Sequence, residues 1–412
     1  MGCAASSSAT AALSADDAAT GVAAQQQPPP QLLERSEPML KTERERDSEP
    51  EPVQVGPSSA GHMYTVGEEL GKGSFGVVVK FIREDGTVFA AKCFNKAALK
   101  RKRMGWGTRT ALDLVFEEIA VMKLLDHPNV LKLHEVMDDD HRGKIFLVVE
   151  YMPHGSCDPK EHGLEFFEEE RARRYFNDTL LGLEELHNHG ILHHDIKPEN
   201  LLLTQDDRVK IGDLGIAQVC VPAEWDSDGV QHDNEELRKA EVCTSWAGTP
   251  AFLAPEVARG LDSFDGAPVD IWALGVSLWH MLMGSLPFCE YHRIPCAHVP
   301  MEALRSRSLM VGADSEYELY IAIADGPVVL PTDAPISAAA RELLIGGEAN
   351  GSRGILAKDA ASRMTIAQIR ESDFVSKGGT EPLPPSLHVR NYHFSVAPCA
   401  RCAATRSDFL SV

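Results

Sequence analysis

Three absences narrow the class of this protein. No apolar run is long enough to cross a membrane: the longest, residues 271–283, has 13 residues and includes a histidine, whereas a spanning helix needs about 20. The N-terminus lacks the basic region and continuous apolar stretch of a secretory signal. Basic residues are in deficit, because 61 Asp and Glu face 40 Lys and Arg, for a formal net charge of −21. This balance argues against a general nucleic-acid binder, which would present a basic face.

The cysteines do not form a recognisable framework. There are nine, an odd number scattered along the chain, which predicts free thiols in a reducing cytosol and not a set of disulfides. Cys399 and Cys402 form a CxxC, but no second pair lies at the spacing of a zinc site. The sequence therefore gives little support for a metal or redox role at that pair.

The N-terminus carries a motif for lipid modification. "MGCAAS" fits the pattern for N-myristoylation, in which removal of Met1 exposes Gly2, and Cys3 offers a thiol for a second, palmitoyl chain. One acyl chain holds a protein only marginally at a membrane, and residues 31–52 are too acidic to supply a polybasic second signal. The alternative is an Ala- and Ser-rich start that matches by chance. We favour acylation and predict a location at the cytosolic face of a membrane.

The order of patterns along the chain predicts its architecture. Residues 1–62 are rich in Ala, Ser, Gln and Pro and then charged, so they cannot bury enough apolar surface to offset ordering, and a disordered tether is predicted. From Tyr64 onward, β-branched runs separated by glycine or charged turns predict an antiparallel meander. Apolar residues then fall at helical spacing, namely Leu112, Val115, Phe116, Ile119 and Met122. From about residue 165 helical patterns dominate.

We therefore predict an α+β fold of two lobes. A small β-rich N-lobe covers about 63–152 and a larger, mainly helical C-lobe about 153–375, and residues 376–412 form an extended tail. The apolar run at 271–283 suits a buried core helix. The sequence gives no signal for an oligomeric state.

A glycine-rich stretch, "GKGSFGVV" at 71–78, is the first motif with chemical content. Its glycines let a strand–turn–strand approach phosphates closely, since no Cβ intervenes. It lies between predicted strands and not before a helix, which disfavours a dinucleotide-binding fold. Lys92 follows inside an apolar strand, where an unpaired charge is costly. Glu118 on the next helix is the favoured partner, and Glu117 is the alternative.

The stretch "ILHHDIKPENLLL" holds polar residues between apolar runs. Asp195 can position a substrate hydroxyl and accept its proton, Lys197 can screen a transferring phosphoryl group, and Asn200 can ligate Mg²⁺. Thirteen residues after Asn200, Asp213 in "GDLG" can bridge that metal to the β- and γ-phosphates. A single Asp is usually a cap or turn residue, but this ordered set indicates phosphoryl transfer.

With "APE" at 254–256, the chain resembles a eukaryotic protein kinase from about Tyr64 to Phe374. "KPEN" and "GTPAF" resemble the Ser/Thr branch. The resemblance implies ATP and Mg²⁺ as cofactors and a protein substrate. It implies catalytic roles for Asp195, Lys197, Lys92, Glu118 and Thr249, and metal ligation by Asn200 and Asp213. It places the nucleotide against Leu70, Gly71, Lys72, Gly73, Ser74, Phe75, Gly76, Val78, Ala90, Lys92, Val149, Glu150, Met152, Glu199, Leu202 and Asp213.

The resemblance also implies structural partners. Asp270 would brace the catalytic loop, and Arg363 would form a buried ion pair with Glu256. Glu150 and Met152 would offer backbone groups at the hinge between the lobes, behind Val149 as the gatekeeper.

Two longer phrases, "FEEIAVMKLLDHPNVLKLHEVMDDD" and "FVSKGGTEPLP", are similar to the calcium/calmodulin-dependent protein kinase kinases and to the plant kinases that activate AMP-activated-type kinases. This similarity implies that the substrate is the activation-loop Thr of another kinase. The basic insert at 96–110 is either a substrate-docking insert or a solvated loop. The tail lacks a basic amphipathic helix, so the sequence gives little support for calmodulin control.

The sequence departs from the family pattern in three places. His194 replaces an Arg beside Asp195 and is mostly neutral at pH 7, so we expect less dependence on phosphorylation of the activation segment, where Thr244 and Ser245 are the candidate sites. Leu214 replaces a Phe and fills the same apolar place. Residues 216–247 form a long acidic segment, either a disordered insertion or a steering patch for a basic substrate.

Three classes of function remain. The chain is an active kinase, a pseudokinase that binds without transfer, or a membrane-tethered interaction module that keeps the fold as a scaffold. The presence of the metal-binding and proton-accepting residues favours the first.

Overall fold

A curled antiparallel sheet forms the first part of the folded chain in the computed structural model. The structure describes residues 53–73, 76–104, 109–219, 248–261, 264–288, 313–347 and 352–386. The strands are β1 Gln54–Val55, β2 Tyr64–Lys72, β3 Gly76–Arg83, β4 Val88–Asn95, β5 Leu133–Asp139 and β6 Lys144–Glu150. They run in the order β1-β2-β3-β4-β6-β5, with every neighbouring pair antiparallel. The predicted meander is confirmed, and β4 lies inside the sheet.

The outer face of this sheet has its own small apolar core, which corrects one expected boundary. Tyr64 stacks on Phe81 with ring centroids 5.3 Å apart, and Val55 is buried among the same residues. Residues 53–62, expected to belong to the disordered tether, instead supply β1 and cover this face. Without that cover the aromatic side chains would be exposed to water, which is unfavourable. The folded body therefore begins at or before residue 53.

Two helices follow β4 and pack on the inner face of the sheet. Helix α1, Lys96–Arg101, begins at Asn95, whose side chain accepts from the Ala98 N–H. The insert at 96–110 is thus partly helical and not a simple loop. Helix α2, Ala111–Lys123, buries Leu112, Val115, Ile119 and Met122 against the sheet, as their spacing predicted.

The second part of the chain is mainly helical. Its helices are α3 Glu169–Asn188, α4 Pro255–Ala258, α5 Gly266–Met283, α6 Ala313–Asp325, α7 Ala338–Ile345, α8 Ile366–Glu371 and α9 Asp373–Ser376. Short strands pair as β7 Ile191–Leu192 with β10 Gln218–Val219, β8 Leu201–Leu203 with β9 Val209–Ile211, and β11 Gly346–Gly347 with β12 Ser352–Arg353. The α+β prediction of two lobes is confirmed.

Helix α5 contains the apolar run and lies in the core, with nearly every residue buried. In the described part of the chain, no helix combines the length and apolarity that a membrane crossing requires. Gly182 on α3 permits a close approach, because a Cβ there would lie 2.5 Å from the backbone oxygen of Asn129. That approach seats α3 against the segment that leads into β5.

A buried ion pair ties α4 to the segment before α8. Arg363 donates to both carboxylate oxygens of Glu256 at 2.7 and 3.0 Å, and its guanidinium lies over the Trp272 ring at 5.2 Å. Arg363 also donates to the backbone oxygens of Ala357 and Pro268. Such a pair contributes little beyond its desolvation cost, but removing one partner leaves an uncompensated buried charge.

The start of the predicted tail is packed and not loosely extended. Glu381 accepts from Arg173 of α3 at 3.2 Å, and Leu383 packs on the core. Residues 377–386 therefore belong to the folded body. The predictions for 1–52 and for most of the acidic segment 216–247 lie outside the described residues, as do residues 289–312.

Candidate active site

Lys92 lies at the centre of the site. Strand β4 carries it, and its Nζ is 2.8 Å from Glu118 Oε1 on α2 and 2.8 Å from Asp213 Oδ1 after β9. Glu118 is buried, whereas Glu117 pairs with Arg109 and points away from the sheet's lysine. The structure thus selects Glu118, the favoured partner, over the alternative.

The three charges shift one another's pKa. Burial acts against the charge of Lys92, but the attraction of Glu118 and Asp213 outweighs it and raises the pKa of the ammonium. The charge of Lys92 lowers the pKa of Asp213 to about 2. Burial raises the pKa of Glu118 in spite of Lys92. At neutral pH the lysine is therefore a fixed cation, and Asp213 a fixed anion.

A second set of side chains surrounds the carboxylate of Asp195. Thr249 Oγ1 donates to Asp195 Oδ1 at 2.8 Å, and Lys197 Nζ lies 2.9 Å from Oδ2 and donates to Thr249 Oγ1 at 2.7 Å. Asn200 Nδ2 donates to the backbone oxygen of Asp195 at 2.8 Å. Gly248 lets this loop approach closely, because a Cβ there would lie 2.7 Å from the His194 oxygen. Asp195, Lys197, Asn200 and Thr249 therefore lie together, as predicted.

Asp270, at the start of α5, holds the loop that carries Asp195. Its carboxylate is fully buried and accepts from the backbone N–H groups of His193 and His194 at 2.9 and 2.8 Å, and from His187 Nε2 at 2.9 Å. Burial alone would raise the pKa of Asp270, but the His187 hydrogen bond and the neighbouring imidazoles lower it to about 2. His194 takes a left-handed backbone, φ 64°, and this bracing compensates the strain.

Asp213 and Asn200 offer the oxygen ligands that a hard divalent cation prefers. The Gly212 N–H donates to the backbone oxygen of Asn200 at 2.8 Å, which brings the residue beside Asp213 against the catalytic loop. Asp213 is ionised, and about half of its side chain is exposed. In the described ranges, no three His, Cys, Asp or Glu residues gather as a metal cage. Two protein ligands with waters and substrate phosphates are the usual coordination of Mg²⁺, so the residues fit that ion.

The glycine-rich hairpin has two kinds of glycine. A Cβ at Gly76 would clash with the carbonyl oxygen of Cys93 on β4, so packing requires a glycine there. A Cβ at Gly71 would meet nothing within 4 Å, which leaves an open side for a ligand. The Gly73 N–H closes the turn by donating to Gly76 oxygen at 2.8 Å. Leu70 and Lys72 lie on β2 before the turn, and Ser74 and Phe75 lie outside the described residues.

Five of the predicted nucleotide contacts belong to the large apolar core. They are the buried Ala90 and Val149 and the partly buried Val78, Met152 and Leu202. In the sheet Ala90 pairs directly with Val149, so these two residues are fixed by strand register.

The remaining predicted residues are Glu150 and Met152 at the hinge and Glu199 in the loop after Asp195. The Glu150 N–H donates to the Lys132 oxygen at 3.2 Å, so that backbone donor is engaged, and the Glu150 carboxylate accepts from Lys210 Nζ at 3.0 Å. Met152 is half-buried against the large apolar core. Glu199 is exposed on the turn that carries Asn200.

Sequence reasoning missed the histidines that support the site. The His193 ring nitrogen lies 2.9 Å from the Gly212 oxygen and so links the catalytic loop to the segment of Asp213, while His187 reaches Asp270 from α3. His193 could have been predicted as a supporting residue, because it lies immediately before His194 and Asp195. No sequence feature predicts the role of His187, because a histidine near the end of a helix is common.

This geometry is that of a protein kinase cleft. The family model of the protein kinase domain matches residues 64–375, and the chain belongs to that family.

Several characterised proteins are similar over most of the domain. The serine/threonine-protein kinase GRIK2 of Arabidopsis thaliana is 32% identical over 315 residues, covering 74% of this chain and 64% of that protein. The calcium/calmodulin-dependent protein kinase kinase of Caenorhabditis elegans is 31% identical over 342 residues, covering 78% and 54%. The serine/threonine-protein kinase STK11 of Gallus gallus is 32% identical over 341 residues, covering 80% and 64%. The chain spans less than two thirds of each relative. The predicted family resemblance is confirmed.

The shifted pKa of Asp270 predicts a pH-dependent stability. Its folded pKa of about 2 lies below the ordinary 3.8, so the carboxylate stabilises the fold above about pH 4, and this contribution is lost as the pH falls toward 2. We expect Asp270→Asn to lower the free energy of unfolding by about 2 kcal/mol at pH 7, and by less below pH 4. Urea titrations at several pH values measure this.

The exposed Asp206 supplies the control for that experiment. Asp206→Asn should change stability by less than about 0.5 kcal/mol at every pH. A deficit in Asp270→Asn that is equally large at pH 7 and pH 3 would contradict the assigned pKa.

Proposed function

We propose that the chain is an active Ser/Thr protein kinase that transfers the γ-phosphoryl group of ATP to a protein hydroxyl. The observation that supports this best is the meeting of two charged sets. One is Lys92 between Glu118 and Asp213, and the other is Asp195 bonded to Thr249 beside Lys197. Holding these charges together at partly buried positions is costly, and binding a phosphorylated nucleotide uses each of them.

The chemistry asks for positioning and charge neutralisation, because the phosphoryl transition state needs little covalent help. Lys92, oriented by Glu118, aligns the α- and β-phosphates below the glycine hairpin. Asp195 orients the substrate hydroxyl and accepts its proton. Lys197 screens the charge that builds on the transferring group, and Thr249 fixes the distance between Lys197 and Asp195.

A divalent cation is the remaining component. Asp213 and Asn200 would hold Mg²⁺, which neutralises negative charge on the β- and γ-phosphates when it is bound. The ionised state of Asp213 at neutral pH favours such binding, since Lys92 keeps its pKa low.

We infer that the protein substrate is the activation-loop Thr of another kinase. The support is the relative from Caenorhabditis elegans, whose name describes a kinase that acts on a kinase. Residues 377–384 of the packed segment belong to the phrase that carried the closer resemblance, and the contact of Glu381 with α3 gives a structural reason for that sequence.

The transfer assay tests both parts. Label from the γ-phosphate should reach an inactive AMP-activated-type kinase domain and should fall about 100-fold or more in Asp213→Asn, because an electrostatic contact at the transferring group is removed. Asp206→Asn should retain wild-type transfer. Equal labelling by wild type and Asp213→Asn would favour a pseudokinase or a scaffold. Labelling of a generic basic protein but not of the kinase domain would contradict only the substrate.

We also infer that transfer does not need a phosphate on the activation segment. His194 Nε2 is buried and has no hydrogen-bond partner among the described residues. Burial lowers the pKa of the His194 imidazole below its ordinary value, which favours the neutral form at pH 7. No cation at that position beside Asp195 then requires a compensating phosphate.

Replacing both candidate phosphosites tests this inference. Thr244→Ala with Ser245→Ala should keep the wild-type transfer rate, and phosphatase treatment of the wild type should leave the rate unchanged. Loss of transfer in a double variant whose thermal unfolding matches the wild type would contradict it.

We propose that the chain is held at the cytosolic face of a membrane by acyl groups on Gly2 and Cys3. The support is the sequence motif alone, because both residues lie outside the described part of the chain. Gly2→Ala should move the protein to the soluble fraction of lysed cells. Cys3→Ser should weaken membrane retention, since a single chain binds only marginally. Ser8→Ala, outside the motif, is the control. Unchanged partition of both variants would exclude the anchor.

A further inference from the structure

A basic surface lies on α1 and the segment that follows it. Lys100, Arg101, Lys102, Arg103 and Arg109 are all exposed, and we call them the α1 basic surface. Residues 96–110 contain no Asp or Glu. The net charge of the chain is −21, so this stretch forms a region of positive potential on a protein that is negative overall.

The fold fixes this surface in place. Leu99 is buried and anchors α1 to the core, and the Asn95 side chain caps its first turn. The Met104 N–H donates to the Arg109 oxygen at 3.0 Å, and the Ala111 N–H donates to the Lys102 oxygen at 2.8 Å. These backbone bonds keep Arg109 beside the end of α1.

The carboxylates on the neighbouring elements are already engaged. Asp138 and Asp140 bond to Lys96, which is turned toward the sheet edge. Glu117 pairs with Arg109, and Asp113 closes the capping box of α2. Lys96 and the five cations of the α1 basic surface outnumber these four carboxylates, so the net charge here is positive. At physiological ionic strength charges farther than about 8 Å are largely screened, so acidic residues elsewhere do not cancel it.

The acylated N-terminus and the α1 basic surface can reach the same membrane. The N-terminal segment enters the sheet at β1, which lies at the same end of the sheet as Val88 of β4 but three strands across. Helix α1 follows the opposite, Asn95 end of β4, about 30 Å away at ordinary strand spacing. The chain from Gly2 to Val53 has a contour length of about 170 Å, so an acyl group and this surface can meet one bilayer together.

We propose that the α1 basic surface binds anionic lipid headgroups and turns this part of the kinase toward the membrane. It adds to the acyl anchor proposed above and supplies the second signal that residues 31–52 cannot give. The occupant is the phospholipid surface of a negatively charged leaflet, recognised by several cations at once. An acidic protein segment would use the same charges and is the competing outcome.

The test uses the full chain without acyl groups, so that it does not depend on the anchor. Sedimentation with phosphatidylcholine vesicles, with and without phosphatidylserine, should show binding to the anionic vesicles alone, weaker at higher salt. Lys100→Gln with Arg101→Gln should reduce this binding about 25-fold, because each cation near the surface contributes about fivefold.

The matched control is Lys160→Gln with Arg353→Gln, which removes two exposed cations elsewhere and changes net charge equally. This control should bind as the wild type does, and both double variants should keep wild-type thermal unfolding. Equal loss in the two double variants, or no preference for anionic vesicles, would overturn the proposal. Binding of soluble poly-glutamate without vesicle binding would assign the surface to an acidic protein. The transfer assay is separate, so an inactive chain would leave the vesicle result standing.

Discussion

The ammonium of Lys92 between two carboxylates is the contact on which the site depends. Strand β4 fixes the lysine from inside the sheet, whereas Glu118 comes from α2 and Asp213 from the segment after β9, and both distances are 2.8 Å. Each carboxylate is carried by a different element, so movement of that element changes the distance of the carboxylate from Lys92. The orientation of Lys92 therefore reports the position of α2 and of the Asp213 segment together, and a shift of α2 would act as an on/off element.

The loop that carries Asp195, the proposed proton acceptor, is held in place by buried hydrogen bonds. Asp195 lies on a loop whose neighbour His194 has a strained backbone, and a loop of this kind persists only when its surroundings over-determine it. Asp270 does so with one buried carboxylate that takes two backbone donors and the His187 imidazole. Because Asp270 lies near the start of the buried core helix α5, the hydrophobic packing of that helix positions the loop.

The residues of the candidate site could be predicted because each lies in a short sequence motif, and phosphoryl transfer requires particular residue types in those motifs. The meander and α2 followed from periodicity. Residues 53–62, α1 and 377–386 could not be assigned in this way, since they are ordered by contacts distant in sequence. Val55 lies in a stretch too short to show a strand pattern, and its packing on the aromatic face of the sheet explains its burial. The link from His187 to Asp270 spans 83 positions and leaves no local pattern.

The net charge of the whole chain and the local charges of the cleft act on a nucleotide in different ways. A net charge of −21 opposes the approach of a polyphosphate nucleotide, so the cleft must reverse the sign of the potential locally. Lys92 and Lys197 begin that reversal, but Lys92 already lies between two carboxylates and Lys197 beside a third, so the local balance stays negative. A divalent cation held by Asp213 and Asn200 would change this balance, because it would add two positive charges to the cleft. Nucleotide and cation are therefore expected to bind cooperatively, each lowering the electrostatic cost of the other.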